Sequence, residues 1–182
     1  MGLARVWHLL AVAGVVTVIA ATWGPAPASA ACTSGGLGLT APATLTFPGT
    51  TLTGANQTAT TTLALTGDDQ SGTGTGWKLT ATSTTLTNGS FTLPTTATTV
   101  TGVTRTAGAG SCSLPANAVT YPVTIPAAAS PPTAAKIFSA AAGAYAGTGA
   151  IDLSIALSLA IPANARAGTY SSTWTLSLVT GP

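Results

Sequence analysis

Glutamate is absent from this 182-residue chain, histidine occurs once, and only five basic and three acidic side chains are spread along it. These shortages remove whole classes of chemistry. A Ser or Cys nucleophile needs a general base, and the one histidine, His8, lies in an N-terminal stretch that reads as an export signal. A wall-cutting glycosidase needs two carboxyl groups a few ångströms apart, and the only candidates are Asp68, Asp69 and Asp152. A zinc site lacks its usual His and Glu ligands. The expectation is a protein that is not an enzyme and carries no cofactor or metal. So few charges also give no electrostatic footprint for nucleic acid. Aromatic residues are scarce as well, so the position of each one is informative.

The only long apolar run, LLAVAGVVTVIAA from Leu9 to Ala21, falls short of the ~20 residues that span a bilayer. Arg5 precedes it, and Ala28-Ser29-Ala30 closes it with the small-x-small pattern of a signal-peptidase site. Residues 1–30 therefore read as a signal peptide. The mature chain, 31–182, is expected to be exported, with no membrane span once the signal is cleaved. Its charges are Lys78, Arg105, Lys136 and Arg166 against Asp68, Asp69 and Asp152, a net of +1. About 150 residues suit one domain. Two cysteines lie beyond the cleavage point, and two readings stand for them. In an oxidising compartment Cys32 and Cys112 form a disulfide, closing a loop of about 80 residues worth ~4–5 kcal/mol in the chain-entropy model. Alternatively Cys32 is the acylated first residue of a lipoprotein, although Ser29-Ala30-Ala31 lacks the bulky apolar residue such signals carry.

The period of the mature chain is two. In GAIDLSIALSLAIP, Ile151, Leu153, Ile155, Leu157, Leu159 and Ile161 share one face, while Asp152, Ser154 and Ser158 take the other. The final segment alternates likewise through Tyr170, Trp174, Leu176 and Leu178. Further strands are expected at Ala43–Phe47, Thr60–Thr66, Gly76–Thr82, Phe91–Leu93 and Val119–Ile125, with threonine favouring the pleated surface. Pro48-Gly49, Thr66–Asp69, Asn88-Gly89, Gly108–Gly110 and Pro131-Pro132 read as turns or loops. The alanines of Ala134–Gly147 allow one or two helical turns. The fold class that follows is all-β: an antiparallel β-sandwich, immunoglobulin-like or Greek-key, with one short helical segment at most.

One spacing recurs. GTGTGWKL runs alternate glycines into Trp77 and then Leu79, and TYSSTWTL places Trp174 two residues ahead of Leu176. On a strand each Trp-x-Leu pair points to a single face. Paired strands would let the two indoles share an aromatic cluster, each burying ~150–250 Å².

These residues resemble the WxL domain of Gram-positive surface proteins. DDQSGTGTGWKLTA is similar to that family's first signature through Asp69, Gly72, Gly74, Gly76, Trp77 and Leu79. IPANARAGTYSSTWTLSLVTGP is similar to the second, through Gly168, Thr169, Tyr170, Trp174, Leu176 and Pro182. The opening GLGLTAPATLTFPGT fits the small strand with which such domains start, so the resemblance spans the mature chain. It implies a cell-surface module that holds to peptidoglycan or another wall glycan without covalent linkage, often beside another exported surface protein. Trp77, Leu79, Trp174, Leu176 and Asp69 are then the candidate binding residues. For both tryptophans a core role stands beside the contact role. Asp68 and Asp69 invite a calcium reading, but a full site needs about six to eight oxygen ligands, and turn chemistry fits them better. A rival from another class is an assembly protein that pairs through uncharged strand edges with its own copies or another exported chain.

Overall fold

The computed structural model describes residues 35–143 and 148–182. Two sheets make up the described part. The first is antiparallel throughout, in the order β1 (Leu37–Thr40), β2 (Gln57–Asp69), β8 (Gly149–Ile161), β4 (Thr98–Ala107) and β5 (Val123–Thr124). The second centres on β3 (Trp77–Thr84). On one side β3 pairs antiparallel with β9 (Trp174–Thr180). On the other it pairs antiparallel with β7 (Ala135–Ala140) and, at its far end, parallel with the two residues of β6 (Ala127–Ala128). No helix occurs among the described residues, and the fold is all-β.

Alternation makes the core. Ile151, Leu153, Ile155 and Leu157 of β8 are almost fully buried, and they meet Trp77, Leu79 and Phe138 from the facing sheet. Burying each such side chain is worth ~1.5–3 kcal/mol, which is how a chain with so few charges holds together. Asp152 and Ser154 of β8 face outward and are exposed.

Several expected elements are corrected. The alanine-rich stretch at 134–147 is not helical where it is described. Ala135–Ala140 is a strand whose last four residues are all buried, and residues 144–147 lie outside the described residues. Burial against β3 outweighs the modest helix preference of alanine there. Thr66-Gly67-Asp68-Asp69 is not a turn, because β2 runs through it in unbroken register with β8, ending at Asp69 opposite Gly149. Phe91–Leu93 is the return arm of a tight loop in which Asn88 Oδ1 accepts the N–H groups of Ser90 and Phe91. Of Val119–Ile125 only Val123–Thr124 is strand.

Strand β4 was not expected, and its irregularity says why. Its register against β8 slips between Val100 and Gly102. Thr98 and Val100 face the core before that bulge, and Val103 stands opposite core-facing Ile155 after it. The inward set changes from even to odd numbers, which erases a period of two.

Ala43–Phe47 also forms no strand. The β1–β2 ladder bonds even-numbered residues, with Gln70 N–H donating to Gly36 O (3.2 Å), then Gly38 opposite Asp68 and Thr40 opposite Thr66. The next position, opposite Ala64, is Pro42, which has no N–H to give. The ladder stops there. Residues 41–56 become a strap across the open side of the sandwich, with Leu45 and Phe47 half-buried against the core.

The far edge of the second sheet is covered differently. Ala118 N–H donates to Ser139 O (3.0 Å), Ser139 N–H to Asn117 Oδ1 (3.1 Å), and the Tyr121 phenol to Ile137 O (2.6 Å). Burial pushes the Tyr121 phenol above its ordinary value near 10, against the opposing pull of the Asn117 amide that donates to it. A raised folded-state value favours the protonated phenol. Its contribution is complete below the unfolded value, about pH 10, and is lost as pH rises through the folded one. Equilibrium unfolding should therefore show stability falling above about pH 10, and Tyr121→Phe should flatten that fall while costing ~1 kcal/mol at neutral pH.

Candidate functional site

The two Trp-x-Leu motifs lie on directly paired strands. Leu79 stands opposite Leu178 and Ala81 opposite Leu176 on the inward face of the β3–β9 pair. The indoles do not form the shared cluster that pairing suggests. Trp77 stands opposite Thr180 and Trp174 opposite Ser83, six residues apart along the ladder, about 20 Å at ~3.3–3.4 Å per residue. Antiparallel pairing sends the two motifs to opposite ends of the same ladder.

Trp77 is fully buried. Its ring lies 5.1 Å from that of Phe138, tilted by 33°. Its Cη2 edge lies over Gly67 of β2, where an added Cβ would come within 3.2 Å of it. Gly67 is thus the cavity that receives the indole from the opposite sheet. The glycines ahead of Trp77 have their own reason. Gly72, Gly74 and Gly76 all adopt left-handed backbone, with φ of 65°, 63° and 72°. At Gly76 a Cβ would stand 2.4 Å from the carbonyl oxygen of Ala140. Between the glycines, hydroxyls chain from Ser71 to Thr73 (2.9 Å) and from Thr73 to Thr75 (3.0 Å). The loop ties the end of β2 to the start of β3 with no space for a side chain at its last residue.

Asp69 opens that loop. It is buried, and its Oδ1 accepts the Ser71 N–H at 2.9 Å, while Asp68 Oδ2 accepts from Gln70 Nε2 at 2.7 Å. Both carboxylates hold the turn. No group of three or more potential metal ligands occurs among the described residues. Leu79 is fully buried and Leu176 half-buried, both within the core. Cys32 lies outside the described residues, as does the 1–30 segment. Cys112 lies in the loop after β4, where its N–H donates to Thr148 O at 3.1 Å.

Trp174 is the candidate that reaches a surface. It is half-buried, with Nε1 donating to Ser172 Oγ at 3.1 Å. It lines a groove of about 560 Å³ between the strap and the start of β9. Phe47 and Tyr170 share this groove, with the hydroxyl residues Thr44, Thr46, Thr169 and Ser171 to Thr173 around them. Among the described residues no charged side chain lines it. The Tyr170 phenol is held by Arg166 O at 3.1 Å. A second depression, about 470 Å³, lies over the outer face of the first sheet among Thr66, Thr104, Thr106 and Asp152, with no aromatic residue. Of the two, only the groove combines apolar ring faces with fixed hydroxyls, the usual make-up of a small-molecule or sugar site. The sequence predicts a strand at Ala43–Phe47, and Phe47 is not among its candidate binding residues. The signal for a groove wall is weak there, because the strap becomes one only after Pro42 turns it away from β2.

No family model, no curated protein and no solved structure matches this chain.

The two tryptophans should separate in mutagenesis. Trp77→Ala should cost ~3–5 kcal/mol, as expected for emptying a buried aromatic site. Gly76→Ala should cost more than the ~1 kcal/mol of left-handed strain alone, because its methyl meets a backbone oxygen. Trp174→Ala, at a half-buried position, should cost less than Trp77→Ala in the same denaturant titration.

Proposed function

We propose that this chain is an exported cell-surface module of the WxL type that holds to the Gram-positive cell wall, peptidoglycan or a related glycan, without covalent linkage. The observation that carries the reading is the groove at Trp174. An amphipathic indole with a fixed N–H, a tyrosine and a phenylalanine offer flat apolar faces to the C–H faces of a sugar ring. The surrounding threonine and serine hydroxyls offer partners to sugar hydroxyls. The lack of charge in the groove favours a neutral stretch of glycan, so salt should matter little. Trp77, Leu79 and Asp69 serve in this reading by building the frame, and Trp174 with its neighbours makes the contact. The export reading carries the Cys32–Cys112 disulfide with it. A thiol titration of denatured protein, with and without reductant, should show two thiols only after reduction.

The test is co-sedimentation of purified protein with isolated peptidoglycan in moderate salt. Binding should survive ionic strength. Trp174→Ala should weaken it by roughly tenfold or more, about 1.4 kcal/mol, while leaving the protein folded. Trp77→Phe should change stability and leave binding by the folded protein unchanged. No sedimentation of the folded protein with the wall would end this reading.

A second reading, assembly through strand edges, is favoured by a different observation: the uncharged edge of β2 from Gln57 to Leu65 has no strand beside it among the described residues.

A further inference from the structure

The outward-pointing main-chain groups of β2 follow from its ladders. Even-numbered residues turn toward β1, as the Gln70 to Gly36 bond shows, and odd-numbered residues turn toward β8. β1 covers β2 only as far as Thr66, opposite Thr40. Thr58, Thr60, Thr62 and Ala64 therefore aim their N–H and C=O groups away from the sheet, and among the described residues none bonds to another main-chain group. The strap does not supply the missing strand. Its hydrogen bonds with β2 come from side chains at odd-numbered, inward-facing positions: Thr61 Oγ1 to Thr46 O (3.0 Å), and Gln57 Nε2 to Thr51 O (2.7 Å) and Thr53 Oγ1 (3.2 Å).

Other edges differ among the described residues: β4 past Val100 is also left uncovered by the two residues of β5, but it carries the charge of Arg105. The outer edge of β7 is bonded to residues 116–118. On β9 the main-chain groups of Trp174, Leu176 and Leu178 lie at the outer edge with no strand beside them among the described residues, but their side chains turn inward and are half-buried in the core and the groove. On β2 the side chains of Thr58, Thr60, Thr62 and Ala64 are all exposed. From Gln57 to Leu65 the strand contains no charge and no proline, the two common means of keeping an edge single.

We infer that the β2 edge joins two copies of this chain, β2 to β2, in an antiparallel pair with Thr60 at the twofold axis. This inference rests on the assembly reading above and names its edge and its partner. The occupant follows from self-complementarity. A twofold contact must match the same patch to itself. With Thr60 opposite its own copy, Thr58 falls opposite Thr62 and Thr62 opposite Thr58. All three positions are then main-chain-bonded pairs with Thr–Thr neighbours on the outer face, a favourable cross-strand pairing. No charge is buried. The first sheet becomes one continuous ten-stranded sheet across the dimer, and none of Thr58, Thr60 and Thr62 lines the Trp174 groove.

Two measurements test it. Sedimentation velocity over a concentration series should show a reversible monomer–dimer equilibrium. Thr60→Lys should raise the dimer dissociation constant by roughly tenfold or more, without lowering the melting temperature of the dilute monomer. Main-chain-bonded antiparallel pairs hold their Cα atoms ~5.5 Å apart, within disulfide range. Thr60→Cys should therefore cross-link two copies under mild oxidation, and Thr104→Cys, exposed on the same face but away from the edge, should not. A dimer that neither responds to Thr60→Lys nor cross-links through Cys at position 60 would overturn this edge while leaving assembly in place. A monomer at all concentrations would overturn both.

Discussion

The indole of Trp77 reaches across the sandwich to lie over Gly67 of the opposite sheet, and much of the structure is arranged around that one insertion. A Cβ at Gly67 would crowd the ring edge at 3.2 Å, so glycine leaves the ring its room. Phe138 closes the other side of the ring at 5.1 Å. The glycine loop must deliver Trp77 into the core immediately after a sharp turn, and it does so with three left-handed residues, the last pressed against the Ala140 carbonyl. Once Trp77 is fixed, β3 is fixed, and β9 takes its register from β3. The position of Trp174, and with it the groove, follows from a packing event at the opposite end of the same ladder.

A second constraint is the supply of main-chain partners. In a chain with so few charges, both the surface and the edges are made from hydroxyls and backbone. Where a partner is missing, the structure shows it openly. Pro42 ends the β1–β2 ladder because it lacks the one N–H the next bond requires. The consequences are a strap that walls an aromatic groove and a β2 edge that remains unpaired. Wall contact and self-pairing would thus stem from one residue while using separate surfaces. A bivalent arrangement of two grooves on one dimer would also hold a repeating glycan more firmly than either groove alone, through effective concentration.

The family resemblance and the geometry bear on each other in a specific way. The Trp-x-Leu signature reads as a single feature repeated twice, but the two copies do different jobs. The first is a core anchor with no exposed surface. The second keeps the same inward orientation yet is only half-buried and lines the groove. The difference goes with the strand: β3 is paired on both sides, while β9 pairs only with β3 and its inward residues are all half-buried.

The sequence by itself determined the fold class and the clearest strands, because alternation over Ile151–Ile161 and Trp174–Leu178 depends only on which side chains avoid water. It also determined the Asn88-Gly89 turn, whose bonds are local. It could not yield β4, because a one-residue bulge swaps the inward face partway along. It could not separate strand from helix at Ala135–Ala140, where burial on β3 decides. Nor could it tell the Thr66–Asp69 stretch from a turn, since the reason for its glycine is an indole from the other sheet. Only tertiary structure sorted the two tryptophans into core and groove, because exposure depends on what lies opposite, and that is set by register between distant segments.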